Sequence, residues 1–205
     1  MIKFITNSPL PTYSKDFIEP KGAAHDNNGS TFFVESIEKL YKRSIDFLDL
    51  GCAGGALVND MYKARHNAYG IEGSDYQKKE KKNSWGIIPE RLYNADITEP
   101  FGFFDYDDSG QSQRILFDVI SAWDVLEHLE EDRLPGLVSN IKINLKQDGI
   151  FVCGIAEFED EGYHVTLHNE EWWVKFFEDH GMKFVTRQFD EVARRSSFEL
   201  KFKLA

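Results

Sequence analysis

The chain has 205 residues, enough for one α/β domain with a sizeable core, and its 17 Phe, 8 Tyr and 4 Trp beside ordinary Gly and Pro exclude a disordered, collagenous or solenoid chain. Against 24 Lys and Arg stand 35 Asp and Glu, a formal charge of −11, which disfavours a nucleic-acid partner unless basic residues are locally concentrated. The one basic run, Lys78-Lys79-Glu80-Lys81-Lys82, includes an acid and reads as a solvated connection, Cys52 and Cys153 make no metal spacing, and neither a leader nor a membrane-spanning run is present, so a cytoplasmic protein with no membrane partner is expected.

Residues 1–44 read as an approach segment or lid, punctuated by Pro9, Pro11 and Pro20. Asn27-Asn28-Gly29-Ser30 supplies a turn and cap, with His25 and Asp26 as turn residues before it, and an amphipathic helix follows over 31–41. From residue 45 to 205 short apolar runs alternate with helical ones, the signature of a parallel sheet covered by helices. Strands are expected at 45–50, 68–72, 91–95, 117–122 and 150–154, each apolar enough for burial on both faces. Leu134, Val138, Ile141 and Leu145 recur at helical spacing, and Gln147-Asp148-Gly149 ends that helix. A second helix spans 170–180 and stops at Gly181, and runs at 183–189 and 198–204 predict an antiparallel terminal hairpin. Trp85, Trp172 and Trp173 read first as packing residues. The expected whole is a single domain with a Rossmann-like, seven-stranded, mostly parallel sheet, helices on both faces and an antiparallel C-terminal strand.

The chemistry concentrates at the carboxyl ends of the expected strands, where open α/β sheets bind ligands. Asp49-Leu50-Gly51-Cys52-Ala53-Gly54-Gly55 is a strand running into a glycine-rich turn that opens a helix, which lets backbone amides approach a ligand. Glu72, in Gly70-Ile71-Glu72-Gly73-Ser74, stands about 20 residues further on, where a carboxylate can accept hydrogen bonds from both ribose hydroxyls. The turn lacks the third-glycine spacing of a dinucleotide site, so a nucleoside cofactor without pyrophosphate is indicated.

These segments, with Asn94-Ala95-Asp96-Ile97 and Phe117-Asp118-Val119-Ile120, resemble in order and spacing the motifs of class I S-adenosylmethionine-dependent methyltransferases, over roughly residues 45–154. The resemblance implies S-adenosylmethionine held by Asp49, Gly51, Cys52, Ala53, Gly54, Gly55, Glu72, Gly73, Ala95, Asp96, Ile97 and Trp123. Ala53 stands where many members have a second glycine, a conservative change provided that its backbone angle stays negative.

For the acceptor, Asp124, Glu127 and His128 in Trp123-Asp124-Val125-Leu126-Glu127-His128-Leu129 are spaced to share one helical face. They are the expected catalytic residues, His128 as base or metal ligand. The pattern resembles the metal motif of methyltransferases that modify the terminal 2′-hydroxyl of small RNAs, which add a histidine after the fifth strand; His164 and His168 lie there. That resemblance implies Mg²⁺ or Mn²⁺ on Asp124, Glu127, His128 and His168, while a metal-free Leu-Glu-His element stays open. Together these readings give an O-methyltransferase acting on a sugar hydroxyl of a glycan or another small-molecule acceptor. RNA 2′-O-methylation and a non-catalytic S-adenosylmethionine-binding protein are the alternatives.

Overall fold

In the computed structural model, residues 1–8, 10–25, 29–186 and 197–205 are described. Asp26, Asn27, Asn28 and the end of the run expected at 183–189 lie outside them.

The main sheet has seven strands. Its parallel part comprises β2 (Asp46–Leu50), β3 (Asn67–Glu72), β4 (Leu92–Asn94), β7 (Phe117–Trp123) and β8 (Leu145–Ile155). β10 (Phe198–Leu204) runs antiparallel between β8 and β9 (Met182–Thr186), so the terminal hairpin inserts its second strand inward. The full order is β4-β3-β2-β7-β8-β10-β9. From central β2 the chain moves outward through β3 and β4, then returns to β7 on β2's other side, leaving a crevice at the carboxyl ends of β2 and β7.

Helices α2 (Thr31–Tyr41), α3 (Ala56–Lys63), α5 (Leu134–Asn144) and α6 (Glu170–Asp179) turn apolar faces inward. On one side Phe33 and Ile37 of α2 and Val58 and Met61 of α3 pack on Phe47, Ala68 and Val119. On the other Leu137 and Ile141 of α5 and Trp173 and Phe177 of α6 pack on Ile120 and Phe151. Leu145, expected on the fourth turn of α5, opens β8 instead, because the helix ends at Asn144. The basic run falls on a short helix, α4 (Tyr76–Glu80), and just beyond it.

A second sheet was not anticipated. β1 (Ile2–Thr6), β5 (Phe101–Tyr106) and β6 (Ser112–Ile115) form an antiparallel ladder in the order β1-β5-β6. Its apolar face joins the main core through Phe103, whose ring centroid lies 4.9 Å from Phe4, 5.2 Å from Tyr69 and 5.3 Å from Phe117. The first residues of the expected lid are therefore a structural strand, and the cavity is lined instead by described residues of the stretch between β1 and α2 and by the first turn of α2. That stretch, with α1 (Lys15–Ile18), lies across the crevice.

Candidate active site

The turn after β2 follows from its residue types. Gly51 (φ +71°) and Gly55 (φ +82°) occupy the left-handed region, and a Cβ on Gly51 would stand 2.3 Å from Val125 Cγ2. Ala53 was expected at negative φ and is instead at +42°. Two bonds hold it there: its N–H donates to Glu72 Oε2 (2.8 Å), and its carbonyl accepts from Trp85 Nε1 (2.8 Å). Of the residues expected to hold the cofactor, Gly51 and Ala53 line the cavity, whereas Asp49, Cys52, Gly54 and Gly55 support the turn from behind. Asp49 Oδ1 accepts from Ser121 Oγ at 2.6 Å, tying β2 to β7, and buried Cys52 fills the space that a Cβ on Gly70 would need.

Glu72 ends β3 at the cavity wall with one oxygen on Ala53 N–H and the other on Ser74 N–H (2.9 Å). Burial raises its pKa, and these backbone donors oppose the rise. Each oxygen keeps lone-pair capacity, so the carboxylate can still receive two hydroxyls. Gly73, Ala95, Asp96 and Ile97 continue this wall. Asp96 Oδ1 accepts from Thr98 N–H and hydroxyl, while Oδ2 accepts from Tyr13 OH at 2.8 Å. Burial and the Asp96 bond push the Tyr13 phenol up to about 12, so it stays a donor at neutral pH.

At the other end, Asp124, Glu127 and His128 do not share a helical face. Asp124 sits at φ +52° and is exposed at the cavity, and Leu126–His128 is a single 3-10 turn. That turn sends Glu127 into the core and leaves His128 on the cavity wall. Glu127 is fully buried; Oε1 accepts from Ala156 N–H at 2.8 Å, Oε2 has no partner among the described residues, and burial drives its pKa up to about 7. His164 is the second histidine brought to this pair: ligand atoms of Glu127, His128 and His164 lie within 4.8 Å of one another. His168 bonds Glu131 through Nε2 (2.8 Å), stacks on Trp172, and is not in that group; neither is Asp124.

Sequence reasoning offered residues 1–44 as a lid but gave no site role to Pro11, Tyr13, Asp16 or Phe17, which contribute to the cavity wall. Asp16 Oδ2 lies 2.7 Å from His128 Nδ1 across 112 positions of chain, a separation that no local motif signals. The cavity, ≈ 590 Å³, has the size of a small-molecule site. Among the described residues its lining includes five carboxylates, Asp16, Glu72, Asp96, Asp124 and Glu199, and neither Lys nor Arg. Trp123 lines it too, and its buried Nε1–H has no partner among the described residues.

A parallel sheet with one reversed strand, a switch-point cavity and a ribose-type carboxylate beside a glycine turn define a class I methyltransferase. The chain belongs to the family described as "Methyltransferase domain", whose model matches residues 27–201, and is an S-adenosylmethionine-dependent methyltransferase.

Its fold is similar to a TehB-like SAM-dependent methyltransferase from Corynebacterium glutamicum, with TM-score 0.60 and 22% identity over 89% of this chain and 91% of that one. A SAM-dependent methyltransferase from Clostridium acetobutylicum gives 0.62, 16% identity, and 87% and 93% coverage. The 1,6-didemethyltoxoflavin-N1-methyltransferase of Burkholderia thailandensis, solved with 1,6-didemethyltoxoflavin and S-adenosylhomocysteine, gives 0.63, 14% identity, and 92% and 84% coverage. No curated protein matches this chain by sequence. No helix among the described residues is long and apolar enough to cross a membrane.

Proposed function

We propose that this methyltransferase moves its methyl group to a hydroxyl oxygen of a sugar-like small-molecule acceptor, with His128 as the base. The observation that carries the reading is an imidazole on the wall of the cavity that Glu72 also lines, a wall to which neither Lys nor Arg contributes among the described residues. When bound, S-adenosylmethionine supplies an electrophilic methyl on a sulfonium whose departure leaves a neutral thioether. The protein's part is to hold, orient and deprotonate.

Glu72 accepts the ribose hydroxyls, Gly51 and Ala53 admit the cofactor's close approach, and Trp123 lines the same cavity. Gly73, Ala95, Asp96 and Ile97 fit the adenosine side of the cavity. Among the described residues of this wall His128 is the imidazole, the side-chain type suited to taking a hydroxyl proton. Asp124 is an acceptor for further hydroxyls of a polyol, and the acidic lining disfavours a phosphate-rich strand, which argues against RNA.

The test is transfer from methyl-labelled S-adenosylmethionine to hexose and deoxyhexose glycosides, amines and short RNAs, with and without EDTA. We expect label on a glycoside, EDTA resistance, and a loss in His128→Ala of about a hundredfold or more in kcat with cofactor affinity unchanged. Label on RNA or an amine alone would overturn the acceptor class. Turnover abolished by EDTA would move His128 from base to cation ligand.

A further inference from the structure

His128 does not stand alone. The 2.7 Å contact of its Nδ1 with Asp16 joins two side chains that are each about a fifth exposed, 20% and 21%. A carboxylate only accepts, so Nδ1 carries the hydrogen and the lone pair is left on Nε2. The other groups around the ring are Glu127 and Asp124 of its own segment, His164, whose ring meets it edge-on at 4.7 Å, and the Asp160 charge from the loop after β8. His164 donates its own Nδ1–H to the Phe158 carbonyl at 2.6 Å.

Asp16 belongs to the segment between β1 and α2, whose described residues form no strand and only the short helix α1, and which is fastened at both edges of the cavity. At the ribose edge Pro11 abuts Gly73, and Tyr13 bonds Asp96 under the Arg133 guanidinium, 3.9 Å from its ring. At the acceptor edge Lys15 donates to the Glu161 carbonyl, Lys21 pairs with Asp160 at 2.7 Å, and Tyr163 OH donates to the Glu19 carbonyl at 3.1 Å. Lys15 also lies 4.2 Å over the Tyr163 ring.

We propose that Asp16 is the positioning residue of a histidine–carboxylate pair that exists only while the N-terminal segment is seated, so that closing this wall of the cavity assembles the base. The inference rests on the reading of His128 as base. Asp16 fixes the tautomer, aims Nε2, and stabilises the imidazolium formed when a proton arrives. A lifted segment leaves His128 without its partner, so the closed state is also the reactive one. Burial lowers the ring's pKa, yet the Asp16 bond and charge, with Glu127 and Asp124, outweigh it and leave the net value raised, as such a pair requires.

The test reads His128 directly by ¹⁵N imidazole NMR titration of the intact protein, without any acceptor. In the wild type we expect the Nδ1–H tautomer and a raised pKa. Asp16→Asn loses the tautomer preference and titrates lower. The doublet Tyr13→Phe/Tyr163→Phe, which releases one tyrosine hydrogen bond at each edge of the segment without changing a charge around the pair, moves the titration the same way by less.

An unchanged titration in Asp16→Asn would overturn the positioning role, and one unchanged in the doublet would overturn its delivery by the segment. With an acceptor in hand, Asp16→Asn lowers kcat roughly ten- to a hundredfold, leaves KM for S-adenosylmethionine within about twofold, and moves the acid limb of the pH profile to lower pH. Full turnover in His128→Ala would instead sink the base reading while leaving the Asp16 titration result intact.

Discussion

Ala53 shows a local strain and the bonds that hold it. At φ +42° its methyl crowds the adjacent backbone, at a cost of roughly 1–2 kcal/mol, while its N–H and C=O are held by Glu72 and Trp85. Ala53→Gly removes the crowding but returns conformational freedom to the unfolded chain, so the two effects oppose. We expect a protein as stable as the wild type or up to about 1 kcal/mol more stable by thermal unfolding. A loss of similar size would show that the buried methyl matters more than the strain.

Glu72 makes a sharper prediction, because both its oxygens face backbone N–H groups and Gln would turn an NH₂ against one of them. Glu72→Gln should weaken S-adenosylhomocysteine binding about ten- to a hundredfold by calorimetry, the loss expected for a charge-assisted bond to the ribose. Unchanged affinity would remove Glu72 from the cofactor site.

At the scale of elements, α2 is the test of local coding. Ser30 caps it by accepting the Phe33 N–H at 3.1 Å, and Phe33, Val34 and Ile37 form its buried stripe. Ser30→Ala should cost about 1 kcal/mol in urea unfolding, with no change in the slope of the transition. This helix was readable from sequence because cap, period and burial all lie within a dozen residues. The central strands β2, β3 and β7 were readable for the same reason: each is a short run buried on both faces along nearly its whole length.

What escaped was non-local. β1 finds its partner β5 about a hundred positions away, Met1 N bonding Asp105 Oδ1, and no periodicity within either strand announces that pairing. Leu145 continues the helical spacing of α5 yet opens β8, since periodicity cannot see where a helix stops. At the site, Gly51, Glu72 and His128 were recognisable from motif spacing, but the backbone turn at Asp124 broke the helical face assumed for 124, 127 and 128. Asp16 reaches His128 through a tertiary approach alone.

The molecule as a whole places its ionic groups at opposite ends of the sheet. Asp118 opens β7 at the end away from the cavity, where Arg43 (2.7 Å), Lys146 (2.9 Å) and the Asp46 N–H (2.9 Å) surround it. Burial acts to raise its pKa, but these partners prevail and the net value is lowered. A depressed carboxylate contributes stability above its unfolded pKa and loses it as pH falls through the folded value, so Asp118 governs the acid side.

Glu127, at the cavity end, has the opposite sign. With a folded pKa of about 7 against an ordinary 4.5, the native state binds more protons than the unfolded chain between those values, and stability must fall as pH rises across that window. The full effect is on the order of 3 kcal/mol. Glu127→Gln keeps the oxygen that accepts the Ala156 N–H and removes the titration. The variant should therefore match the wild type near pH 4.5 and become the more stable protein by pH 8, the gap opening through pH 5–7 in urea or thermal unfolding. A gap that stays constant with pH would show that Glu127 is already ionised in the folded protein, with its buried Oε2 compensated by a group outside the described residues.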